Sequence, residues 1–112
     1  MGTSGSDSET VAFRMQLNPG AAAEYQRRHT DIWPELRTAL FAAGVIDYRI
    51  FLDPDSNFLF AVLTRRKVHQ LEQLRQMEVM RRWWRMMRDI MHTHADDSPV
   101  EVSLLPMFEL QK

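Results

Sequence analysis

The chain has 112 residues, 45% of them apolar, with a formal net charge of −1 and no cysteine. That is enough for one domain with one core. The charge balance gives no electrostatic case for nucleic acid or an anionic membrane. The absence of thiols removes both a disulfide framework and a cysteine nucleophile and favours an intracellular, cytoplasmic protein. No apolar run approaches the roughly 20 residues needed to cross a bilayer.

The opening MGTSGSDSE, residues 1–9, is small and polar and is set aside as a tail. Residues 10–112 are expected to form a single domain. Residues 10–17 alternate, with Val11, Phe13, Met15 and Leu17 on one side and Ala12, Arg14 and Gln16 on the other. This is the period of a strand. Asn18-Pro19-Gly20 breaks it, and Asn18 or Gly20 is expected to open a helix over residues 21–43. Gly44 is placed to end that helix, and Pro34 must kink or restart it, because proline cannot donate to the carbonyl four residues back. Thr30 and Asp31 are candidates to cap the restarted turn.

A second strand is expected over residues 46–52, then a tight turn at Asp53-Pro54-Asp55-Ser56-Asn57 and a third strand over 58–64, paired as a hairpin. Residues 68–91 have a helical composition. Residues 100–110 read as a fourth strand with Pro106 inside it, which argues for an edge or a bulge. The order β-α-β-β-α-β is that of an α+β ferredoxin-like domain, a four-stranded antiparallel sheet with its helices on one face. The third strand, FLFAVL, is apolar on both sides, so its second face needs cover. Packing of two sheets face to face in a dimeric α+β barrel is the simplest cover.

Three groups carry possible chemistry. Tyr25 and His29 are four apart and share one helix face, with Trp33 four further on. Histidine titrates near neutrality and can give or take a proton. A surface histidine beside a half-buried tyrosine is the duller alternative. In RRWWRMMRDIM, residues 81–91, the adjacent indoles Trp83 and Trp84 are about 100° apart on a helix, so at least one is expected to line a cavity or interface while the methionines form core. The arginines there, Arg81, Arg82, Arg85 and Arg88, read as a solvated face balanced by acids elsewhere. The run His92-Thr93-His94-Ala95-Asp96-Asp97 holds metal-binding residue types but matches no metal template, and it reads better as a turn into the last strand. No Gly-rich phosphate loop or HExxH is present. No cofactor or metal is expected.

Taken in order, MQLNPGAAAEYQRRHTDIWPEL, GVIDYRIFLD, NFLFAV, RRWWRMM and DDSPV resemble the L-rhamnose mutarotase family, and the likeness spans nearly the whole chain after the tail. The resemblance implies an isomerase that interconverts the α and β anomers of L-rhamnopyranose, and a homodimer of ferredoxin-like units. It also implies that the family's proton donor falls on His29, its sugar-contacting tyrosines on Tyr25 and Tyr48, and its paired tryptophans on Trp83 and Trp84. L-rhamnose is then the partner expected, with neither nucleic acid nor membrane. Two rival readings share these features. One is a cofactor-independent oxygenase on the same barrel, with a histidine and aromatics around a flat apolar substrate. The other is a sugar-binding module without catalysis.

Overall fold

The computed structural model describes residues 7–112. Residues 1–6 of the stretch set aside as a tail lie outside the described part. Its last two residues do not belong to a tail, because the first strand, β1, spans Ser8–Gln16 and pairs from Ser8 with Arg66.

The alternation read from the sequence becomes the pairing of β1. Leu59, Ala61 and Leu63 of β3 (Phe58–Arg66) oppose Met15, Phe13 and Val11, and all six lie toward the helices. β2 (Val45–Asp53) flanks β3, and the short β4 (Val102–Leu104) flanks β1. The antiparallel order is β2-β3-β1-β4. The β2–β3 turn closes as the sequence indicates. The Asp53 carboxylate accepts from the Ser56 hydroxyl at 2.8 Å and the Asp55 amide at 3.0 Å, while Asn57 takes φ 63°.

The first helical region is two helices, α1 (Ala22–Thr30) and α2 (Pro34–Ala43). Pro34 is the first residue of α2, where its missing N–H costs nothing. The caps differ from expectation. α1 starts after Ala21, and Asn18 instead donates its side chain to the Asp89 carbonyl at 3.2 Å. Thr30 donates back to the Gln26 carbonyl, and α2 has no side-chain cap. Gly44 does end α2, at φ 119°, where a Cβ would come 2.9 Å from that of His69.

The second helical region departs further from its reading as one helix over 68–91. It is a single turn, α3 (Leu71–Leu74), and a helix, α4 (Glu78–Met87), separated by Met77 in an extended conformation. Past Met87 the backbone turns to the sheet. Asn18 donates to the Ile90 carbonyl, Met91 bridges Leu17, and His92 donates to the Gln16 carbonyl. Those sheet contacts satisfy groups that a continued helix would have used.

The fourth strand is three residues long, not eleven. Pro106 cannot donate to the ladder, and the segment after β4 carries Leu105, Met107, Phe108 and Leu110 at more than 80% exposure.

The core lies between the sheet and helices α1, α2 and α4, around Leu17, Leu36, Leu59, Ala61, Trp83 and Met87. On the other sheet face Phe58, Phe60 and Val62 are only partly buried, and Phe51 is 56% exposed. The two-sided apolarity of β3 is therefore real, with only one side covered within the chain.

Candidate functional site

A cavity of about 1380 Å³ opens between the helices and the sheet, and Tyr25, His29, Tyr48, Trp83 and Trp84 all line it. Five residues from three elements thus meet in one place. Small-molecule pockets typically run to ~300–1,000 Å³, so there is room here beyond one ring-sized ligand.

Helical spacing stacks Tyr25 and His29. Their ring centroids are 4.2 Å apart and their planes 27° apart. The indole of Trp83 meets the imidazole edge-on at 5.3 Å, and Trp33 meets Trp83 in the same way at 5.2 Å. The Tyr25, His29 and Trp33 row is therefore one aromatic cluster capped by Trp83. Trp33 has no role assigned from the sequence; it lies past the end of α1, at the residue before α2, and reaches the cluster through Trp83.

His29 Nδ1 lies 3.0 Å from the main-chain carbonyl oxygen of Tyr25. A carbonyl only accepts, so Nδ1 carries the proton and the lone pair of the neutral ring sits on Nε2. Burial lowers the His29 pKa below its ordinary 6.5, and the bond to the Tyr25 carbonyl only partly offsets this. At neutral pH the ring is a base with a fixed tautomer.

Burial also raises the phenol pKa of Tyr25, which is 8% exposed. Tyr48 keeps 39% of its surface open to the cavity, yet the density of protein around its phenol raises its pKa as well, with smaller contributions from Tyr25 and Glu101. Both phenols remain protonated and can donate hydrogen bonds.

Tyr48 faces inward because of a bulge. Val45 opposes Arg65 and Asp47 opposes Thr64, so Ile46 is the extra residue. An unbroken strand would put Val45 and Tyr48 on opposite faces. One inserted residue returns both to the helix side. Nothing in the residues 46–52 signals that insertion.

Both indoles are buried, Trp83 at 6% and Trp84 at 8%, and both reach the cavity. The 100° between them is used to point Trp83 toward α1 and Trp84 toward α3, where the Arg75 guanidinium lies 4.9 Å from its ring. Arg82 and Arg88 of the expected solvated face pair with Glu35 at 3.0 Å and Asp97 at 3.2 Å, while Arg81 and Arg85 are exposed.

The 92–97 run is a turn. His94 donates to the Ser98 carbonyl, Asp97 donates to the His94 carbonyl, and Asp96 accepts from Ser98. Among the described residues no three His, Cys, Asp or Glu side chains converge as a metal site. No described helix is long and apolar enough to cross a membrane.

Sequence reasoning assigned nothing to Glu72, Arg75 or Glu101, which also line the cavity. The signal for Glu101 was available in the alternation of the last strand. Ser103 pairs with Phe13 on the helix side, and Glu101 is two residues before it. Burial raises the Glu101 pKa above its ordinary value, although the residue stays open to water at the cavity edge.

A sequence model of the L-rhamnose mutarotase family matches residues 10–110. An L-rhamnose mutarotase from Paraburkholderia phytofirmans is 61% identical over 102 residues, covering 91% of this chain and 95% of the relative. One from Burkholderia ambifaria is 58% identical over 103 residues, covering 92% and 99%. The crystal structure of a Formosa agariphila L-rhamnose mutarotase superposes with a TM-score of 0.83 at 40% identity, covering 92% of this chain and 99% of that one. A Nitrosomonas europaea protein described as an antibiotic biosynthesis monooxygenase superposes at 0.60 with 7% identity, covering 91% and 92%, which is a likeness of fold alone.

Proposed function

The chain belongs to the L-rhamnose mutarotase family, as an isomerase acting on the anomers of that sugar, and from that premise we propose that His29 is the group that moves the protons. The observation that carries this is the 3.0 Å contact between His29 Nδ1 and the Tyr25 carbonyl, which leaves the lone pair on Nε2 of a ring that lines the cavity, with no hydrogen bond to Nε2 among the described residues.

Mutarotation opens a cyclic hemiacetal and recloses it on the other face of the aldehyde. In the opening step, Nε2 removes the proton of the anomeric hydroxyl. The electron pair of that O–H bond forms the carbonyl as the bond from C1 to the ring oxygen breaks. The imidazolium gives its proton to the departing ring oxygen, which was attached to the same carbon. The product is the open aldehyde with a free hydroxyl, and His29 is neutral again. Rotation about C1–C2 followed by the reverse steps gives the other anomer. A positioned acid–base group of this kind contributes ~10²–10⁴-fold.

The phenols of Tyr25 and Tyr48, held protonated by their surroundings, donate to sugar oxygens. Trp83 and Trp84 present apolar surface to the C–H face of the ring and to its C6 methyl group and exclude water. All five residues line one cavity, which supports their acting together.

The uncovered sheet face, with Phe51 at 56% exposure beside Phe58 and Phe60, supports a homodimer in which a second copy covers it. Sedimentation as a compact monomer at micromolar concentration would overturn that assembly. A sugar-metabolising enzyme with no cysteine fits the cytoplasm.

The deciding measurement for His29 is saturation transfer between the anomeric protons of L-rhamnose. His29→Ala keeps the helix, since alanine is the best helix former. The catalysed exchange, after subtraction of the spontaneous rate, should fall by about 10²-fold or more with the circular dichroism unchanged. Near-full exchange in the variant would exclude His29 as the acid–base group.

A further inference from the structure

The charged residues around the cavity differ in how they are satisfied. Arg65 is paired with Glu9 at 2.9 Å, Asp47 with Arg49 at 3.1 Å and Asp97 with Arg88 at 3.2 Å, while Arg37 lies against Phe41. Glu72, Arg75 and Glu101 are different. They line the same cavity, and among the described residues none of their side chains makes a hydrogen bond or an ion pair. The Arg75 guanidinium lies over the Trp84 ring, with its carbon 4.9 Å from the ring centre. Its N–H groups project from a fixed plane. Glu101 directly precedes β4, and the Phe13–Ser103 pairing sets the alternation that puts position 101 on the helix side.

Arg75 lies away from His29 in a definite direction. His29 touches Trp83, and Arg75 touches Trp84, the next residue on the helix and about 100° round it. The paired indoles therefore separate an acid–base end, at α1, from the Arg75 end, at α3, and Glu101 lies within reach of the Arg75 and Glu72 charges.

We propose that Glu101 and Arg75 form the hydroxyl-recognition end of the sugar site, holding the vicinal C3 and C4 hydroxyls while His29 works at C1. This rests on the mutarotase reading. C4 stands across the ring from C1, and C3 adjoins it. A ring whose C1 is presented to His29 and whose face lies on the indoles directs these hydroxyls to the other end of the cavity. A carboxylate accepts from a hydroxyl and a guanidinium donates to one, so the pair fits two adjacent hydroxyls, each in one of its two roles. Glu72 adds negative charge beside them. Neither Glu101 nor Arg75 takes part in proton transfer. They are specificity-determining residues, and their effect falls on binding and on the choice among sugars.

The test compares wild-type protein with Glu101→Gln and Arg75→Met, using L-rhamnose and its 3-deoxy and 4-deoxy analogues, with anomer exchange followed by NMR. Loss of a charge-assisted hydrogen bond should raise KM for L-rhamnose by about 10-fold or more in each variant and leave kcat within a few-fold. The wild type should discriminate against at least one deoxy analogue by a similar factor. That discrimination should shrink toward unity in the matching variant, which a purely structural effect would not produce. An unchanged KM in both variants, or an undiminished preference over both deoxy analogues, would overturn the proposal. A fall in kcat at constant KM would also overturn it, because it would make Glu101 a proton-transfer group. If the wild type itself fails to exchange L-rhamnose anomers, it is the function that fails. The deoxy comparison can then still be read as binding by intrinsic fluorescence.

Discussion

The helices that carry the two walls of the site are held in different ways. α4 is held by burial, with Val79, Trp83, Trp84 and Met87 all inside. α1 buries only Tyr25 and is otherwise exposed or half-exposed. What fixes α1 is a polar clasp. The Arg28 side chain, 14% exposed, donates to Glu24 at 2.7 Å, to Asp89 at 2.8 Å and to the Met86 carbonyl at 2.8 Å. It thereby ties the first helix to the end of the last one. Arg27 adds a second contact to Glu24. A core-held wall gives the sugar a rigid apolar floor. A clasp-held wall sets the angle of a single histidine without enclosing it. The same pocket depends on packing on one side and on charge geometry on the other.

The largest break in this contrast comes from α4. Trp84→Ala removes an indole that is both core and cavity wall, and such truncations cost about 3–5 kcal/mol. Chemical denaturation should show that loss. Trp83→Ala should show a comparable one, together with loss of the edge contacts to His29 and Trp33. Rhamnose should change the intrinsic fluorescence of the wild type. Unchanged stability in both variants would mean that α4 is not held by its indoles.

A smaller effect is expected at the clasp. Arg28→Met keeps the aliphatic stem and removes three polar partners. Glu24 and Asp89 are partly open to water, at 37% and 62% exposure, so their loss is cushioned by solvent. The stability cost should be roughly 1–2 kcal/mol. The exchange rate should nevertheless drop several-fold, because α1 no longer holds His29 at a fixed angle. Stability lost without any change in turnover would show that the clasp is structural only.

The same contrast decides what could be read from the sequence. Features set by local chemistry were legible. Gly44 is needed for a positive φ, Pro34 can begin a helix but not continue one, and Asp53 and Ser56 make a turn from their own side chains. Tyr25 and His29 were legible as a pair because a four-residue spacing within one helix puts them on one face, whereas Trp33 lies past the end of α1 and joins them through Trp83. Features set by competition between distant groups were not. Residues 68–91 have a helical composition throughout, but the Asn18 and Gln16 main chain takes the partners that the last turn would have used. Leu74 is buried near α2, and the helical run breaks at an extended Met77 without a proline or glycine to announce it. The bulge at Ile46 is a register decision between two strands, invisible in either alone. Arg75 and Glu101 reach one cavity from elements 26 positions apart in sequence, which no spacing rule detects.

The smallest effect, and the one that separates the two walls most cleanly, is in acid. His29 has its pKa lowered by burial, so the folded protein binds this proton less readily than the unfolded chain does. Its share of stability is fully present above the ordinary 6.5 and declines as the pH falls through the lowered value. Catalysis depends on the free base. The acid limb of the exchange rate should therefore have its midpoint below 6.5, not at it. Glu24 behaves separately. Hydrogen bonds from Arg27 and Arg28 hold its carboxyl at about 2, against an ordinary 4.5. Its contribution is present above 4.5 and is lost only as the pH falls from there toward 2. Asp89 is lowered for the same reason, by its bond to Arg28. Lowering the pH should thus first stop exchange with α1 still docked, then loosen the clasp, with the α4 core the last to give way. Following anomer exchange, circular dichroism and tryptophan fluorescence in one acid titration tests that order. Exchange and helix content lost together as His29 protonates would mean that its protonation undocks α1 and that the clasp contributes nothing on its own.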